Sequence, residues 1–427
     1  MKPGDHKLTC TGCGAEYAPP QLHCDACDGL LRSTYASTAF EPKGFPGLSS
    51  FLDWLPIASP ANSSTGAAVY ASEGLGPKLG LSRLSIAFSG YAPVVGAANP
   101  TGSFKDFEAA VTIPYCREHG MQSLILASAG NTARAFACAA VRHRFPIVIV
   151  IPERAIDGLW IPCEPTDAIR LVVLDGCDDY AAAIRSAALI GEALSIPNEG
   201  GARNVARRDG MSTAILEYAR RMNSLPGHYF QAIGSGTGAI ATWEASQRLL
   251  AAGIGERLPR LHLCQNAPFA PIHDAWTHGI PIEPDQDVEG QLRRIEQIDA
   301  LVLANRTPPY STPGGVRDAL NSTDGFTYAT TNEEARRGAA LFEKAEGLPI
   351  GSAAAVAVAS LIQAIDAGRI GADDEVMLHI TGNDELLLKH DATLHPVEPV
   401  WRVRIDNLSE QSILAARDRL CTPCRTP

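Results

Sequence analysis

Long apolar segments are missing from this 427-residue sequence, which has no run of about 18 apolar residues and therefore no candidate membrane-spanning helix. The first six residues lead into cysteines without an apolar segment, so we expect no signal peptide. Internal repeats and low-complexity segments are also absent. We expect a cytoplasmic protein that has no membrane partner.

Positive charge is scarce as well. The chain has 36 Lys and Arg residues against 47 Asp and Glu residues, a net charge of -11 at pH 7. Since nucleic-acid binding rests largely on Lys and Arg contacts to phosphate, we expect no nucleic acid as a partner. Apolar residues make up 45% of the chain and charged residues 19%, which is typical of globular proteins. The length allows two or three domains with substantial cores.

Cysteines are more frequent, and their spacing carries information. Several of the eleven lie singly in apolar segments, Cys138 and Cys264 among them, which indicates reduced thiols and not a disulfide framework. Four others form two Cys-x-x-Cys pairs, Cys10 with Cys13 and Cys24 with Cys27. This spacing predicts four thiolates on one tetrahedral zinc, the alternative being a knuckle that folds without metal. Few basic residues lie nearby, which favours a structural role for the metal.

Another such pair, Cys421 and Cys424, lies near the C-terminus. We interpret it as a flexible thiol pair and not as a second metal site.

From about residue 92, strand-like and helix-like stretches alternate. Predicted strands cover residues 123–128, 146–152, 169–175, 227–233, 261–265 and 375–381. Predicted helices cover residues 132–143, 178–194, 237–252, 332–346 and 352–367. The alternation predicts an α/β protein with mostly parallel sheets. Pro114, in a helical pattern that begins near residue 105, predicts a kink or an early end of that helix.

A lone lysine, Lys105, stands at the start of this last helical pattern. Asn99, Pro100 and Gly102 mark a turn before it, and Ser103 can cap the helix. A lysine there lies near the positive end of the helix dipole and is partly desolvated. Both effects lower its pKa and leave more free amine to attack a carbonyl, of which the pyridoxal phosphate aldehyde is the usual one. The alternative is an ordinary surface lysine.

Three loops carry further candidate ligand groups. Residues 128–132, SAGNT, join a strand to a helix and have free backbone N–H groups for a carboxylate, unless they are a plain capped loop. Residues 234–238, GSGTG, allow the backbone to wrap a phosphate, although they form neither a Walker A motif nor GxGxxG. Three arginines within residues 203–208 suit phosphate, sulfonate or carboxylate, unless the loop is simply solvated.

Thr381 ends the last predicted strand, where α/β folds place ligand-contacting groups. A hydroxyl at this point would hydrogen-bond a pyridine nitrogen without stabilising its protonated form. That property favours β-elimination chemistry.

Taken in this order, Ser-Phe-Lys-Asp, Ser-Ala-Gly-Asn-Thr, Gly-Ser-Gly-Thr-Gly and a final Thr-Gly resemble the threonine synthase group of fold type II pyridoxal phosphate enzymes. The N-terminal cysteines resemble the knuckle of many threonine synthases. Within the group the likeness is greatest to the cysteate synthases, through residues 200–211, 228–240, 305–310 and 314–320. The resemblance implies a tryptophan synthase β-like fold of two domains, each a parallel sheet flanked by helices.

Domain bounds follow from the resemblance. It implies a zinc-ribbon-like knuckle at 1–35, a large cofactor domain at 36–91 and 216–395, a small α/β domain at 92–215 and a C-terminal extension at 396–427. Enzymes of this fold type are commonly dimers, so we expect a homodimer.

The resemblance also implies a set of site residues. Lys105 would be catalytic and bind the cofactor's aldehyde beside Phe104, Asn131 would hydrogen-bond its 3′-oxygen, and Thr381 would meet its pyridine nitrogen. The cofactor's phosphate would be held by Gly234, Ser235, Gly236, Thr237 and Gly238. The substrate carboxylate would be held by Ser128, Ala129 and Thr132, and the substrate phosphate by Arg203, Asn204 and Arg207.

Two departures from the patterns of this group bear on the substrates. Threonine synthases bind the substrate phosphate partly through an Asn-Ser pair ahead of the arginine that Arg207 matches. Here Gly201 and Ala202 replace that pair and Arg203 is added, which counts against homoserine phosphate. The second departure is from the cysteate synthase pattern, which is richer in glycine where Thr381-Gly382-Asn383-Asp384 stands here. Asp384 would alter the charge of the pocket, which leaves the nucleophile open.

The expected reaction is therefore β-replacement on O-phospho-L-serine with an anionic nucleophile, sulfite first, giving L-cysteate and phosphate. Two alternatives stay open. One is a threonine synthase acting on O-phosphohomoserine. The other is a zinc-ribbon regulatory or nucleic-acid-binding protein on an inactive scaffold.

Overall fold

The computed structural model describes residues 4–61, 64–128, 130–177 and 180–421. In chain order its strands are β1 (His6–Cys10), β2 (Glu16–Tyr17), β3 (Leu31–Tyr35), β4 (Ala68–Ala71), β5 (Leu84–Phe88), β6 (Tyr91–Ala92), β7 (Ala97–Ala98), β8 (Leu124–Ala127), β9 (Ile147–Pro152), β10 (Trp160–Ile161), β11 (Ile169–Asp175), β12 (His228–Ala232), β13 (Arg260–Asn266), β14 (Phe326–Thr330), β15 (Val376–Ile380), β16 (His395–Pro396) and β17 (Pro399–Arg404).

The α-helices, again in chain order, are α1 (Leu75–Leu79), α2 (Lys105–Glu118), α3 (Asn131–His143), α4 (Tyr180–Leu194), α5 (Val205–Met222), α6 (Thr237–Ala251), α7 (Pro271–His278), α8 (Val288–Ile295), α9 (Val316–Ser322), α10 (Asn332–Glu346), α11 (Ser352–Asp366), α12 (Leu388–Asp391), α13 (Glu410–Ala415) and α14 (Arg417–Leu420). No helix in the described ranges is both long enough and apolar enough to span a bilayer.

Two parallel sheets form the body of the protein. The larger has six strands in the order β14-β13-β12-β15-β5-β4, and only its edge strand β4 runs antiparallel. The smaller has four parallel strands in the order β17-β11-β9-β8. A separate three-stranded antiparallel sheet, β2-β1-β3, carries the N-terminal cysteines. The predicted α/β architecture with parallel sheets is confirmed.

Both faces of the smaller sheet are buried, which explains why its strands are apolar throughout. On β9, the side chains of Ile147, Ile149 and Ile151 pack in the core cluster that includes residues of α2 and α3. Val148 and Val150 point the other way, into the cluster with α4. The larger sheet is covered in the same manner, by α5 and α6 on one face and α10 and α11 on the other.

The predicted elements agree closely with those observed. The strand at 169–175 and the helix at 332–346 have the predicted bounds, and most of the other predicted elements differ by one residue at one or both ends. The helix predicted at 178–194 is observed from Tyr180 to Leu194, and residues 178 and 179 lie outside the described ranges. An early end of the helix at Pro114 is wrong, because α2 continues through Pro114 to Glu118. Its flanking residues, Ile113 and Tyr115 among them, are buried. That packing outweighs the loss of one helical hydrogen bond.

The last part of the chain completes the smaller sheet. Strand β17 adds to the free edge of β11 in parallel register, from Leu171 opposite Pro399 to Asp175 opposite Arg404. The indole of Trp401 is buried in the same cluster as α4, and α13 contributes Ile413 to that cluster. The described part of the extension is therefore an integral piece of the fold.

We predict that Trp401→Ala lowers the free energy of unfolding of this part of the protein by about 3 kcal/mol, because it empties a buried aromatic site. Leu414→Ala is the matched control in the same extension, since Leu414 is an exposed side chain. Chemical denaturation followed by circular dichroism measures both. Equal midpoints for the two variants would contradict the role of β17.

Candidate active site

The loop before α2 is held against the end of strand β15. The backbone N–H groups of Asn383 and Asp384 donate to the carbonyl of Gly102 at 2.9 and 3.0 Å, and Phe104 N–H donates to the carbonyl of Thr381 at 2.9 Å. Gly102 has φ 69°, and a Cβ there would overlap the backbone oxygen of Asp384. These contacts hold the start of α2, whose first residue is Lys105, against the backbone of Thr381.

Asp106 supports the same loop from within the helix. Its carboxylate accepts the N–H and the hydroxyl of Thr101, both at 2.9 Å. The carboxylate is fully enclosed, and burial raises its pKa to about 7 although both Thr101 donors oppose the shift. The turn that precedes Lys105 is thus fixed at both of its ends.

The Lys105 side chain is about 20% exposed, and its amine lies 4.7 Å from the centre of the Phe104 ring. Burial lowers the pKa of Lys105, Glu108 opposes that shift, and the nearby Arg207 reinforces it. The direction agrees with the sequence-based prediction for a nucleophilic lysine. Glu108 itself was not predicted as a site residue.

The Phe104 ring packs against a buried network of hydrogen-bonded side chains that the sequence did not reveal. Its ring meets the imidazole of His379 edge-on, with centroids 5.5 Å apart. His379 Nδ1 lies 2.7 Å from the Tyr229 hydroxyl and Nε2 lies 2.9 Å from the Ser89 hydroxyl. Burial lowers the pKa of His379 to about 3, so the ring is neutral. In the sequence His379 looks like one more residue of a buried strand.

The glycine-rich loop joins β12 to α6. Gly236 has φ 79°, and a Cβ on it would overlap Val316 Cγ2. A Cβ on Gly238 would overlap the Gln231 amide. The hydroxyls of Ser235 and Thr237 are 2.8 Å apart. The first N–H groups of a helix have no intrahelical partners, so this loop offers N–H and hydroxyl donors to an anion such as a phosphate.

The SAGNT motif forms the start of α3. Ser128 Oγ accepts the Ala133 N–H at 3.2 Å, and Asn131 is the first helical residue. Asn131 Oδ1 is buried and has no hydrogen-bond partner among the described residues. The Thr132 hydroxyl donates to Glu108 Oε1 at 2.8 Å. Ala129 lies outside the described residues.

Arg207 is buried between two carboxylates. Its Nε lies 2.8 Å from Glu108 Oε2 and its Nη1 donates to Glu199 at 2.7 Å. Burial alone would lower the pKa of Arg207, but Glu108 and Glu199 outweigh it and raise the pKa. Burial raises the pKa of the Glu199 carboxyl, and Arg207 opposes that shift. Lys105, Glu108, Arg207 and Glu199, which we call the charge cluster, thus alternate in sign.

The other two residues predicted for the substrate phosphate have different partners. Asn204 Oδ1 caps α5 by accepting the N–H groups of Ala206 and Arg207, and its amide donates to the Glu199 carbonyl at 2.8 Å. Arg203 Nη1 donates to the carbonyl of Asp28 in the knuckle at 3.4 Å. The described contacts of these two side chains therefore hold the chain together at the start of α5.

Asp384 has a cation close by. Its Oδ1 lies 3.8 Å from Nη1 of Arg134, whose guanidinium stacks on the Trp160 ring at 4.5 Å. Burial raises the pKa of Asp384, while Arg134 and the Asn131 side chain oppose the rise. The charge that Asp384 adds to the pocket is thus partly balanced within it.

The four N-terminal thiols lie together as predicted. The ligand atoms of Cys10, Cys13, Cys24 and Cys27 are all within 4.8 Å of one another, with sulfur pairs at 3.5 Å and 3.8 Å. Sulfurs bound to one tetrahedral zinc at a Zn–S distance of about 2.3 Å are roughly 3.8 Å apart. A hydrogen bond with the Tyr17 hydroxyl is the main cause that lowers the pKa of Cys24 to about 6.

The cysteine module is joined to the charge cluster through the start of α5. Arg208, next to Arg207, donates to the carbonyl of Leu31. The hydroxyls of Ser33 and Tyr35 donate to Asp209 at 2.6 and 2.7 Å. Strand β3, which follows the last cysteine, therefore holds both residues that come directly after Arg207.

Comparison with known proteins agrees with this geometry. Residues 97–382 match the model of the family described as pyridoxal-phosphate dependent enzyme. The chain is 46% identical to the cysteate synthase of Methanosarcina acetivorans, over 92% of this chain and 95% of the relative. It is 44% identical to that of Methanocella paludicola, over 97% of each chain.

Solved structures show the same fold at low identity. Threonine deaminase isoform 2 of Solanum lycopersicum superposes with a TM-score of 0.56 at 16% identity, over 76% of this chain and 86% of that chain. Diaminopropionate ammonia lyase of Escherichia coli gives 0.57 at 16% identity, over 78% and 87%. The predicted fold type II architecture is confirmed.

We predict that Gly236→Ala disrupts the glycine-rich loop, with a loss of about 3 kcal/mol in the free energy of unfolding, because the residue combines positive φ with overlap on Val316. It should also lower retention of pyridoxal phosphate, measured by visible absorbance after dialysis. Gly253→Ala is the matched control, since Gly253 has φ 81° but open space around its Cβ position. This control should lose only about 1 kcal/mol and keep its cofactor. Equal losses would contradict the steric argument.

Proposed function

We infer that this chain, which belongs to the cysteate synthase family of pyridoxal-phosphate dependent enzymes, joins sulfite to O-phospho-L-serine and releases L-cysteate and phosphate. The observation that carries the proposal is the setting of Lys105. Its amine is desolvated and lies 3.6 Å from Glu108 Oε2 within the charge cluster. The N–H of Phe104, the residue before it, donates to the Thr381 carbonyl. The curated relatives that bear the name cysteate synthase support the choice of product.

The residues present fit the cofactor. The Asn131 side chain hydrogen-bonds Asp384, whereas its Oδ1 is buried without a partner in the described structure, so this oxygen is available to a ligand. The glycines of residues 234–238 leave no room for a Cβ at two positions where a phosphate-binding loop needs its backbone. We assign the aldehyde to Lys105, the 3′-oxygen to Asn131, the phosphate to residues 234–238 and the pyridine nitrogen to Thr381. When bound, the cofactor withdraws electrons from the substrate and makes its α-proton acidic.

Lys105 has the properties of the base that takes this proton. Burial is the main cause that lowers its pKa, and a lowered pKa favours the uncharged amine that a base needs. The same amine, once protonated, can return the proton to Cα after the new C–S bond has formed.

The leaving phosphate is assigned to Arg207, the residue of the arginine-rich loop that lies in the charge cluster. Two carboxylates already pair with it, so a phosphate must displace part of that pairing. We leave Arg203 and Asn204 out of this role, because their described contacts hold the knuckle and the start of α5. The homodimer expected from the resemblance stays a prediction.

The first test follows phosphate release and amino-acid products from O-phospho-L-serine with and without sulfite. We expect L-cysteate only when sulfite is present. Lys105→Ala should abolish turnover, because no other base replaces the amine at Cα. Threonine formed from O-phosphohomoserine, or turnover retained in Lys105→Ala, would contradict the proposal.

We further propose that the four N-terminal thiols hold one structural zinc. Cys24→Ser should lose the metal, lower the melting temperature and weaken binding of O-phospho-L-serine, because β3 then holds Arg208 and Asp209 less firmly. Metal content is measured by atomic emission. Cys421→Ser is the matched control at a cysteine outside the cluster and should keep one zinc per chain. A metal-free wild-type protein of full stability would contradict the assignment.

A further inference from the structure

One carboxylate oxygen in the charge cluster lies between two cations. Glu108 Oε2 is 3.6 Å from Lys105 Nζ and 2.8 Å from Arg207 Nε. The other oxygen accepts the Thr132 hydroxyl at 2.8 Å, which fixes the orientation of the carboxylate. Glu108 has no exposed surface, so the charge of this group is balanced by its neighbours and not by bulk water.

We propose that Glu108 is a positioning residue that couples the protonation of Lys105 to the release of Arg207. A protonated Lys105 draws the shared oxygen away from Arg207, whereas an uncharged Lys105 leaves that oxygen to Arg207. The inference rests on the proposed function, in which Lys105 and Arg207 serve one reaction. It adds a reason why both act at the same step.

Proton balance in this scheme is simple. The α-proton moves from substrate Cα to Lys105 Nζ, and the electrons of that C–H bond form a Cα–Cβ double bond while the Cβ–O bond breaks with both of its electrons going to the phosphate oxygen. The sulfur lone pair of sulfite then forms the C–S bond at Cβ, and the proton returns from Nζ to Cα. Glu108 is neither protonated nor consumed. Its charge shifts towards Lys105 when the ammonium forms, which is when the departing phosphate needs the Arg207 cation.

Glu199 provides Arg207 with a second carboxylate partner during this shift. It keeps its bond to Arg207 Nη1 at 2.7 Å, and the Gly201 N–H and the Asn204 amide hold its own carboxylate. Arg207 therefore stays paired when Glu108 Oε2 interacts more strongly with Lys105. A buried arginine without any partner would be far less stable.

The groups that act on the pKa of Lys105 come from several elements. Glu108 lies on the same helix, Arg207 on α5 and Glu199 in the loop before α5, and Glu108 is the stronger of the two carboxylates. Tyr180 of α4 lies in the field of Arg207, Glu199 and Glu108, and burial is the main cause that raises its pKa to about 12. Tyr180 is therefore uncharged at the pH values of the test.

The first experiment uses apoenzyme and measures how fast it binds pyridoxal phosphate as a function of pH, by visible absorbance. Glu108→Gln keeps the side-chain shape and removes the charge, so the pH midpoint of the rate should move to lower pH. Glu108→Asp, which retains a more distant charge, should give an intermediate midpoint. Glu244→Gln is the control: it removes a buried carboxylate 3.0 Å from Arg208 and should leave the midpoint unchanged. Equal midpoints in wild type, Glu108→Gln and Glu108→Asp would overturn the proposal.

A double-mutant cycle tests the sharing of one oxygen. When Glu108 is present, Arg207→Ala should raise the pH midpoint of the cofactor-binding rate. Glu108 then interacts with Lys105 alone, and the cation that repels Lys105 is removed. In the Glu108→Gln background, Arg207→Ala should raise the pH midpoint less, since only the repulsion between Arg207 and Lys105 is lost. Additive shifts would overturn the coupling while leaving the proposed function intact. If Lys105→Ala apoenzyme still bound the cofactor covalently, the proposed function itself would fall.

Discussion

The two hydrogen bonds that Gly102 accepts from Asn383 and Asp384 are the contact on which the site depends. Helix α2 packs on the side of the smaller sheet, whereas Thr381 directly follows strand β15 of the larger one. The contact joins the turn before α2 to the end of that strand, which holds Lys105 at the junction of the two sheets. Gly102 is required because a Cβ would overlap Asp384 and because its φ is positive.

Charge balance is the second constraint. Lys105 and Arg207 are compensated by Glu108 and Glu199 inside a buried cluster. Such a cluster tolerates burial only when every charge has a partner, which explains why the arginine lies between two acids. In the function that we propose, the substrate phosphate competes with those acids for Arg207. The N-terminal module contributes indirectly, because β3 holds Arg208 and Asp209 beside Arg207.

Much of this was predictable from the sequence because it depends on local patterns. Apolar strands between turns, the glycines of residues 234–238 and the spacing of Cys10, Cys13, Cys24 and Cys27 each determine short-range structure, and all were placed correctly. Helix α2 was expected to end or kink near Pro114, but it continues to Glu118. The sequence pattern alone could not show how firmly the neighbours of Pro114 pack in the core.

The unpredicted residues depend on contacts between distant parts of the chain. Glu108 looked like one polar residue in an apolar helix, and its spacing of three from Lys105 was the only signal available. His379 and Glu199 had no signal of their own, since their partners come from other strands and loops. The arginine-rich loop was recognised, but the sequence could not show that Arg203 turns to the knuckle while Arg207 turns inward.

The central claim is that Lys105 is the residue that holds pyridoxal phosphate. It is tested most directly by reducing the purified holoenzyme with borohydride and locating the pyridoxyl group by peptide mass spectrometry. Our account predicts a single modified peptide, with the group on Lys105, out of seven lysines in the chain. A pyridoxyl group on any other lysine, or none on a protein that shows cofactor absorbance, would contradict it.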